Sequence, residues 1–547
     1  MRVIAAQLNP TVGDLEENTK KILQTIERAR AQKADLLIFP EMSICGYPPE
    51  DLLLHSAFID QVQECLEKII KASSKLMLIV GLVRWAPKDA EKPLYNSAAI
   101  IEDGKLLGYE DKCLLPTYDV FDERRYFQPG SSLQTWTCKG KKIAVMICED
   151  IWQHSGFVDL TRYSKDPVLD ILPSKPDLLV NISASPYQYQ KPDVRIQVCA
   201  KSAKTLQCPV ILCCQVGGND QLIFDGYSIC VDRDGKLRQI AAGFKEEEML
   251  IDFDALPPAF TFSYDAMGDL YEALVLGTRD YFHKSGFKKG CLGLSGGIDS
   301  ALVACIAADA LGKENVLAIT MPSRFSSTGS VTDSQELARR LDIELIEVPI
   351  EGPFEAYLEL LEPLFKEMGK PDFDVTEENL QARVRGTILM SLSNKFGHIV
   401  LSTANKSEMS MGYSTLYGDM CGGLAVISDV SKTQIYALCK WLNRKQEIIP
   451  QAIIDKPPSA ELRPDQKDSD TLPDYATVDA VLQGYVEEFL SPEEISKRWK
   501  IPLELVIDLI HRIHRAEYKR RQAAPGIRVS KKAFRVGRAY PIVQRWM

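Results

Sequence analysis

The sequence predicts an α/β protein in two parts: a mixed-sheet part over residues 1–254 and a doubly wound, parallel-sheet part over 266–547, with a linker at 255–265. Three observations carry this. In the first part apolar runs alternate with amphipathic helices, yet Asp103-Gly104 and Asp234-Gly235 mark hairpins, so parallel and antiparallel neighbours share a sheet. In the second part strands and helices simply alternate. Between them, Pro257, Pro258 and the stretch to Tyr264 interrupt both patterns. A chain of 547 residues is long enough for two such cores.

Taken in order, Arg2–Leu8 alternates as a strand, and Ile22, Leu23, Ile26 and Ala29 share one face of a helix over 15–31. A buried strand, Asp35–Phe39, delivers Pro40-Glu41. A helix over 58–73 leads to strands at 76–83, 95–101 and 105–110, the last delivering Lys112. The strand 142–147 ends at Cys148, and strands at 177–182, 210–215, 227–231 and 249–253 complete the part. In the second part a helix over 266–284 feeds the strand Cys291–Leu294. Strands at 316–321, 344–348 and 398–401 then alternate with helices at 330–341 and 354–365.

Composition narrows the function. A net charge of −10 argues against a generic nucleic-acid binder, although eleven Lys or Arg gather between Arg512 and Arg545 against the single Glu517. The fourteen Cys include no C-x-x-C pair, which fits a reducing cytoplasm better than a disulfide scaffold or zinc site. No apolar run approaches a membrane span. His511 and His514 are the one helical His pair and read as a helix face.

The chemistry concentrates at two places. Between the strand at 291–294 and a helix over 298–311, Gly296 and Gly297 let the backbone turn its N–H groups toward an anion at the positive helix end. Ser295 and Ser300 add hydroxyls. Asp299 would repel phosphate, so it suits a bridging magnesium ion. The loop lacks both the Walker Lys and the three glycines of the dinucleotide fingerprint.

At the second place, Glu41, Lys112 and Cys148 each follow a strand, where open α/β sheets put their sites. Cys148 is a candidate nucleophile and Glu41 a general base and acid. Lys112 can meet an oxyanion and favour the thiolate.

These residues carry a resemblance. Ser295 to Ser300 resembles the SGGxDS loop of the ATP pyrophosphatases. That implies pyrophosphate gripped by Gly293, Leu294, Ser295, Gly296, Gly297, Ile298, Asp299 and Ser300. Phe39-Pro40-Glu41, Lys112 before Leu114-Leu115-Pro116, and Ile147-Cys148-Glu149-Asp150-Ile151-Trp152 resemble the nitrilase-superfamily triad. The fold this implies is a four-layer α-β-β-α sandwich. Gly46 to Leu53 and Ala184-Ser185-Pro186-Tyr187 are similar to the glutaminase domain of glutamine-dependent NAD synthetases, which implies Tyr118, Ser185 and Lys191 as glutamine contacts.

The second part extends the likeness. Glu378 to Arg385 resembles the helix that holds nicotinic acid adenine dinucleotide (deamido-NAD), pointing to Asn379 and Arg383. The stretch Ser402 to Glu408 implies Thr403 at ATP and Glu408 at magnesium or the dinucleotide. Lys432 and Ser459 match ATP positions, and Lys519 a dinucleotide position, which recasts the basic tail as a phosphate neutraliser. Leu416 departs from the ammonia-using relatives, which carry Lys there, and Pro457 to Asp474 reads as a mobile lid.

The resemblance implies a cytoplasmic homo-oligomer with an internal ammonia tunnel. It would use glutamine, ATP, magnesium and deamido-NAD, and neither nucleic acid nor membrane. The alternatives are a plain nitrilase or amidase joined to an unrelated ligase, an SGGxDS enzyme acting on RNA or another carboxylate with an attached amidase, and a non-enzymatic sensor, which would predict a broken triad or loop.

Overall fold

The computed structural model describes residues 1–157 and 162–546. By its contacts the chain divides into two compact units, Met1–Asp269 and Leu270–Met547.

In the first unit the strands are β1 (Arg2–Gln7), β2 (Leu36–Ile38), β3 (Met77–Trp85), β4 (Leu94–Glu102), β5 (Lys105–Asp111), β6 (Thr135–Cys138) and β7 (Lys141–Ile147). Then follow β8 (Leu178–Ser183), β9 (Val210–Cys214), β10 (Val216–Asn219), β11 (Leu222–Asp225), β12 (Ile229–Val231), β13 (Leu237–Ile240) and β14 (Glu247–Asp252). Two six-stranded sheets form, ordered β14-β1-β2-β3-β4-β5 and β13-β12-β9-β8-β7-β6, with β10-β11 a separate hairpin. Each sheet is parallel in its middle and antiparallel at its flanks.

Side-chain alternation sorts the layers. Ile143, Val145 and Ile147 of β7 meet Val3, Ala5, Leu36 and Ile38 in the core between the sheets. Their neighbours Ala144 and Met146 point the other way, onto Val198, Cys199 and Ala203 of the helix Lys191–Leu206. The helices Leu15–Ala31 and Ser56–Ala72 pack together, and the second of them packs on β3. The result is the four-layer α-β-β-α sandwich. The hairpin between β4 and β5 pairs Glu102 with Lys105, and both Asp103 (φ +47°) and Gly104 (φ +74°) take the left-handed conformation that so short a turn needs.

The second unit carries a parallel sheet of β15 (Gly290–Gly293), β16 (Val316–Thr320), β17 (Glu344–Glu347), β18 (Ile399–Ser402) and β19 (Leu424–Ala425), ordered β17-β16-β15-β18-β19. The strand order reverses direction between β15 and β18. That switch point is where doubly wound sheets open a ligand crevice. The edge at β19 is covered by the chain itself: Ala425 N donates to Pro525 O at 2.7 Å and pairs in parallel with Gly526. The helix Thr328–Leu341 starts earlier than the sequence reading because Ser327 caps it, accepting from Ser330 N. No described helix is long and apolar enough to cross a membrane.

Candidate active sites

The first site gathers at the C-terminal ends of β2, β5, β7 and β8. Glu41 is fully buried, and its Oε1 accepts from Lys112 Nζ at 2.8 Å and Asn96 Nδ2 at 2.7 Å, while Oε2 accepts from Ala184 N at 2.8 Å. Lys112 Nζ also donates to Glu123 Oε1 at 2.7 Å, and Tyr47 OH donates to the same oxygen at 2.8 Å. Burial disfavours the Lys112 charge, but Glu123 and Glu41 outweigh it and hold the ammonium well above its usual pKa. Burial and the Glu41 charge bring Glu123 up to about 7 against the pull of Lys112.

Cys148 follows β7 in a tight turn with φ +46° and is only 4 % exposed. Burial first, then the charge of Glu41, push its thiol well above the ordinary range, against Lys112 and Ser183. The sequence reading had Lys112 favouring the thiolate. Lys112 does pull in that direction, but burial and the Glu41 charge outweigh it, so the thiol is favoured over the thiolate in the free site.

Asp150 ties the nucleophile's turn to the Lys112 segment. Its carboxylate accepts from Ile147 N at 3.0 Å, Cys113 N at 3.0 Å and Leu114 N at 2.8 Å, and burial lifts it to about 7. Beside Cys148, Glu149 accepts from Tyr118 OH at 3.0 Å and Tyr163 OH at 3.1 Å, and it forms no salt bridge among the described residues. Ser185 is held through its carbonyl by Arg195 Nη2 at 2.8 Å, within a buried Arg195–Asp225 pair. Lys191 Nζ donates to Pro186 O at 2.7 Å and lies over the Trp152 ring. Sequence reasoning missed Glu123, Asp150 and Glu149 as functional positions. For Asp150 and Glu149 the signal was adjacency to Cys148.

The second site lies at the switch point. Ser295 Oγ and Ser300 Oγ are 3.1 Å apart and Gly297 N donates to Ser295 Oγ at 3.3 Å, which closes the loop over the N-terminus of the helix Ile298–Leu311. Gly296 is required twice over: its φ is +74°, and a Cβ there would come within 2.4 Å of Ser330 O. Asp299 accepts from Asn405 Nδ2 at 2.9 Å and Lys432 Nζ at 2.5 Å, and the same ammonium donates to Glu408 at 2.9 Å. Burial leads in raising Glu408 to about 7, and Asp299 adds to it.

Of the second-unit residues expected at ATP, the dinucleotide or magnesium, all but Gly296 and Arg383 line one cavity of about 420 Å³. Arg383 is exposed and donates to Leu416 O at 3.2 Å. Asn379 accepts from Thr415 Oγ1 at 2.6 Å, Ser459 Oγ donates to Gln466 O at 2.6 Å, and Lys519 Nζ donates to the carbonyls of Gly412 and Ser414 at 2.8 and 2.7 Å. Residues of the segment 457–474 line this cavity, and Gln381 Nε2 of the helix Val375–Phe396 donates to Leu462 O at 2.9 Å. Three cations of the basic tail pair within the protein: Arg520, Arg521 and Arg538 all pair with Glu517. His514 packs between Tyr485 and Tyr540.

No cluster of three metal-ligating side chains occurs among the described residues. Two carboxylates beside a phosphate cradle still fit magnesium, which keeps several waters and takes one or two carboxylates plus substrate phosphates.

Comparison with known proteins places each part of the chain in a family. The carbon-nitrogen hydrolase family matches residues 2–253 and the NAD synthase family residues 270–523. The chain is 46% identical to a glutamine-dependent NAD(+) synthetase of Synechocystis sp. over 99% of its length and 98% of the relative's. With the enzyme of that name from Acinetobacter baylyi it shares 43%, over 100% and 98%. The solved structure of the Acinetobacter baumannii glutamine-dependent NAD+ synthetase with adenosine diphosphate superposes with a TM-score of 0.78 at 39% identity, covering 100% of this chain and 99% of that one. The class is therefore a carbon-nitrogen hydrolase fused to an NAD synthase. Within that class, the chain belongs to the family of glutamine-dependent NAD(+) synthetases.

Proposed function

We propose that the chain converts deamido-NAD to NAD with ATP, drawing nitrogen from glutamine and releasing glutamate, AMP and pyrophosphate. The observation that carries this reading is the complete Glu41–Lys112–Cys148 cluster, needed only if nitrogen comes from an amide, in the same chain as the phosphate loop.

In the first unit Cys148 Sγ attacks the glutamine carboxamide as Glu41 takes the thiol proton. Lys112, kept charged by its two carboxylates, faces the oxyanion. Glu41 returns the proton to the departing ammonia, and water hydrolyses the thioester. Glu149, a buried carboxylate without a salt bridge among the described residues, matches the α-ammonium of an amino-acid substrate, which supports glutamine over a simple amide. Tyr118, Ser185 and Lys191 complete that pocket.

In the second unit the carboxylate of deamido-NAD attacks the α-phosphorus of ATP, and the loop at 293–300 retains the departing pyrophosphate. Ammonia then displaces AMP. Asp299 and Glu408 would hold magnesium, which neutralises phosphate charge. Thr403, Lys432 and Ser459 contact ATP, and Asn379, Arg383 and Lys519 the dinucleotide. The family likeness also supports a homo-oligomer in the cytoplasm.

The test is NAD formation from deamido-NAD and magnesium ATP, with glutamine or ammonium, by wild type and Cys148→Ala. The variant is expected to lose only the glutamine-driven reaction. No NAD from either nitrogen source with wild type would refute the reading.

A further inference from the structure

The helix Val375–Phe396 turns one stripe toward the second-unit cavity, with Asn379, Ala382, Arg385, Gly386 and Leu389 at helical spacing. Arg385 differs from the cavity's other cations. Lys432 is neutralised by Asp299 and Glu408, Lys456 by Glu461 at 2.7 Å, and Lys519 is satisfied by two carbonyls. Arg385 forms no ion pair among the described residues. Among the described residues its side chain makes one hydrogen bond, from Nε to Met321 O at 3.1 Å, just past the end of β16. Glu461, the acid whose charge reaches it, is engaged by Lys456, Ser327 and Ser330.

A partly buried guanidinium with no counter-charge is unfavourable in the empty protein and becomes favourable when a ligand brings an anion. Burial lowers its pKa only to about 10, so it stays charged at neutral pH. With Nε pinned to a main-chain carbonyl, the two terminal nitrogens form a fixed fork of the kind that meets phosphate oxygens in pairs. The location fits. A Cβ on Gly293 would lie 3.3 Å from Met321 and 3.6 Å from Leu389, so Arg385, one turn before Leu389 and bonded to Met321, stands by the ends of β15 and β16 where the phosphate loop begins.

We propose that Arg385 contacts substrate in the synthetase site, its terminal nitrogens receiving the α-phosphate of the adenine nucleotide. This rests on the synthetase reading: if the loop's N–H groups grip the two phosphates that leave, the α-phosphate needs a charged donor outside the loop, and Lys432 is already neutralised by two carboxylates. That phosphate stays with the adenylate and gathers negative charge as the carboxylate attacks.

The experiment titrates ATP, AMP and adenosine into full-length wild type, Arg385→Gln and Arg385→Lys by calorimetry, with ammonium-driven kinetics alongside. Arg385→Gln is expected to bind ATP and AMP about 10-fold more weakly or worse and adenosine unchanged, the loss of one charged contact. KM for ATP should rise and kcat fall, with little change in KM for deamido-NAD, and Arg385→Lys should recover part of the AMP affinity. Adenosine weakened as much as AMP would mean that the guanidinium reads the base, and would overturn the proposal. Unchanged ATP and AMP binding with only a lower melting temperature would also overturn it, by assigning Arg385 to holding Met321. Should Arg385→Gln not fold, Arg385→Lys decides, since AMP affinity equal to wild type contradicts a paired phosphate contact. Wild type that binds neither ATP nor AMP would refute the synthetase reading itself, and the proposal with it.

Discussion

Glu110 shows how differently one sequence can treat two buried carboxylates. Glu123 shares a charged Lys, whereas Glu110, 3 % exposed, receives Trp136 Nε1 at 2.8 Å and forms no salt bridge among the described residues. Burial raises it to about 8. Its folded form therefore holds a proton that the unfolded chain releases near 4.5, so its contribution to stability is complete below that value and is lost as pH rises through about 8. Glu110→Gln should melt above wild type at pH 8–9, by up to a few kcal/mol, with the gap closing near pH 5; melts across pH check this. At this scale Glu41, Lys112 and Cys148 were legible because each ends a strand. Glu123 was not, since Asp122-Glu123-Arg124-Arg125 reads as a solvated turn until Lys112 and Tyr47 arrive from other segments.

Gly81 in β3 passes so close to the turn that bears Glu41 that a Cβ would sit 2.2 Å from Pro40 O and 2.4 Å from Met42 N. Neither atom can yield without moving Glu41. Gly81→Ala should cost about 1–3 kcal/mol by overpacking and cut glutamine hydrolysis at least ~10-fold, while ammonium-driven synthesis persists. Parallel assays with the two nitrogen sources would show it. Elements with their own signals could be read in advance: the capped helix Leu15–Ala31, the Asp-Gly hairpin, the glycine loop before the helix Ile298–Leu311. The strand Thr135–Cys138, the hairpin of β10 and β11 and the two-residue β19 escaped, because each exists as a strand only through its partners.

Across the whole second unit, distant segments meet at Lys406. Its Nζ reaches Asp429 at 3.0 Å, Glu487 at 2.5 Å and Ser530 Oγ at 2.7 Å, and Asp429 also accepts from Val529 N and Ser530 N at 2.8 and 2.7 Å. Asn405, the neighbour of Lys406, holds Asp299. Asp429→Ala should therefore destabilise by about 3–5 kcal/mol, as breaking a buried pair does, and lower synthesis with either nitrogen source; a melt and the ammonium assay test this. Such long-range ties cannot be read from local pattern. They also bear on how the molecule is made. β1 lies between β2 and β14, and β14 comes about 240 residues later in the chain. At roughly 5–20 residues per second of synthesis, the emerging strand waits about 12–48 s for that neighbour, one hydrogen-bonding edge bare on the ribosome. The pairing that seals the finished sheet thus makes the pace of translation part of how safely this protein is born.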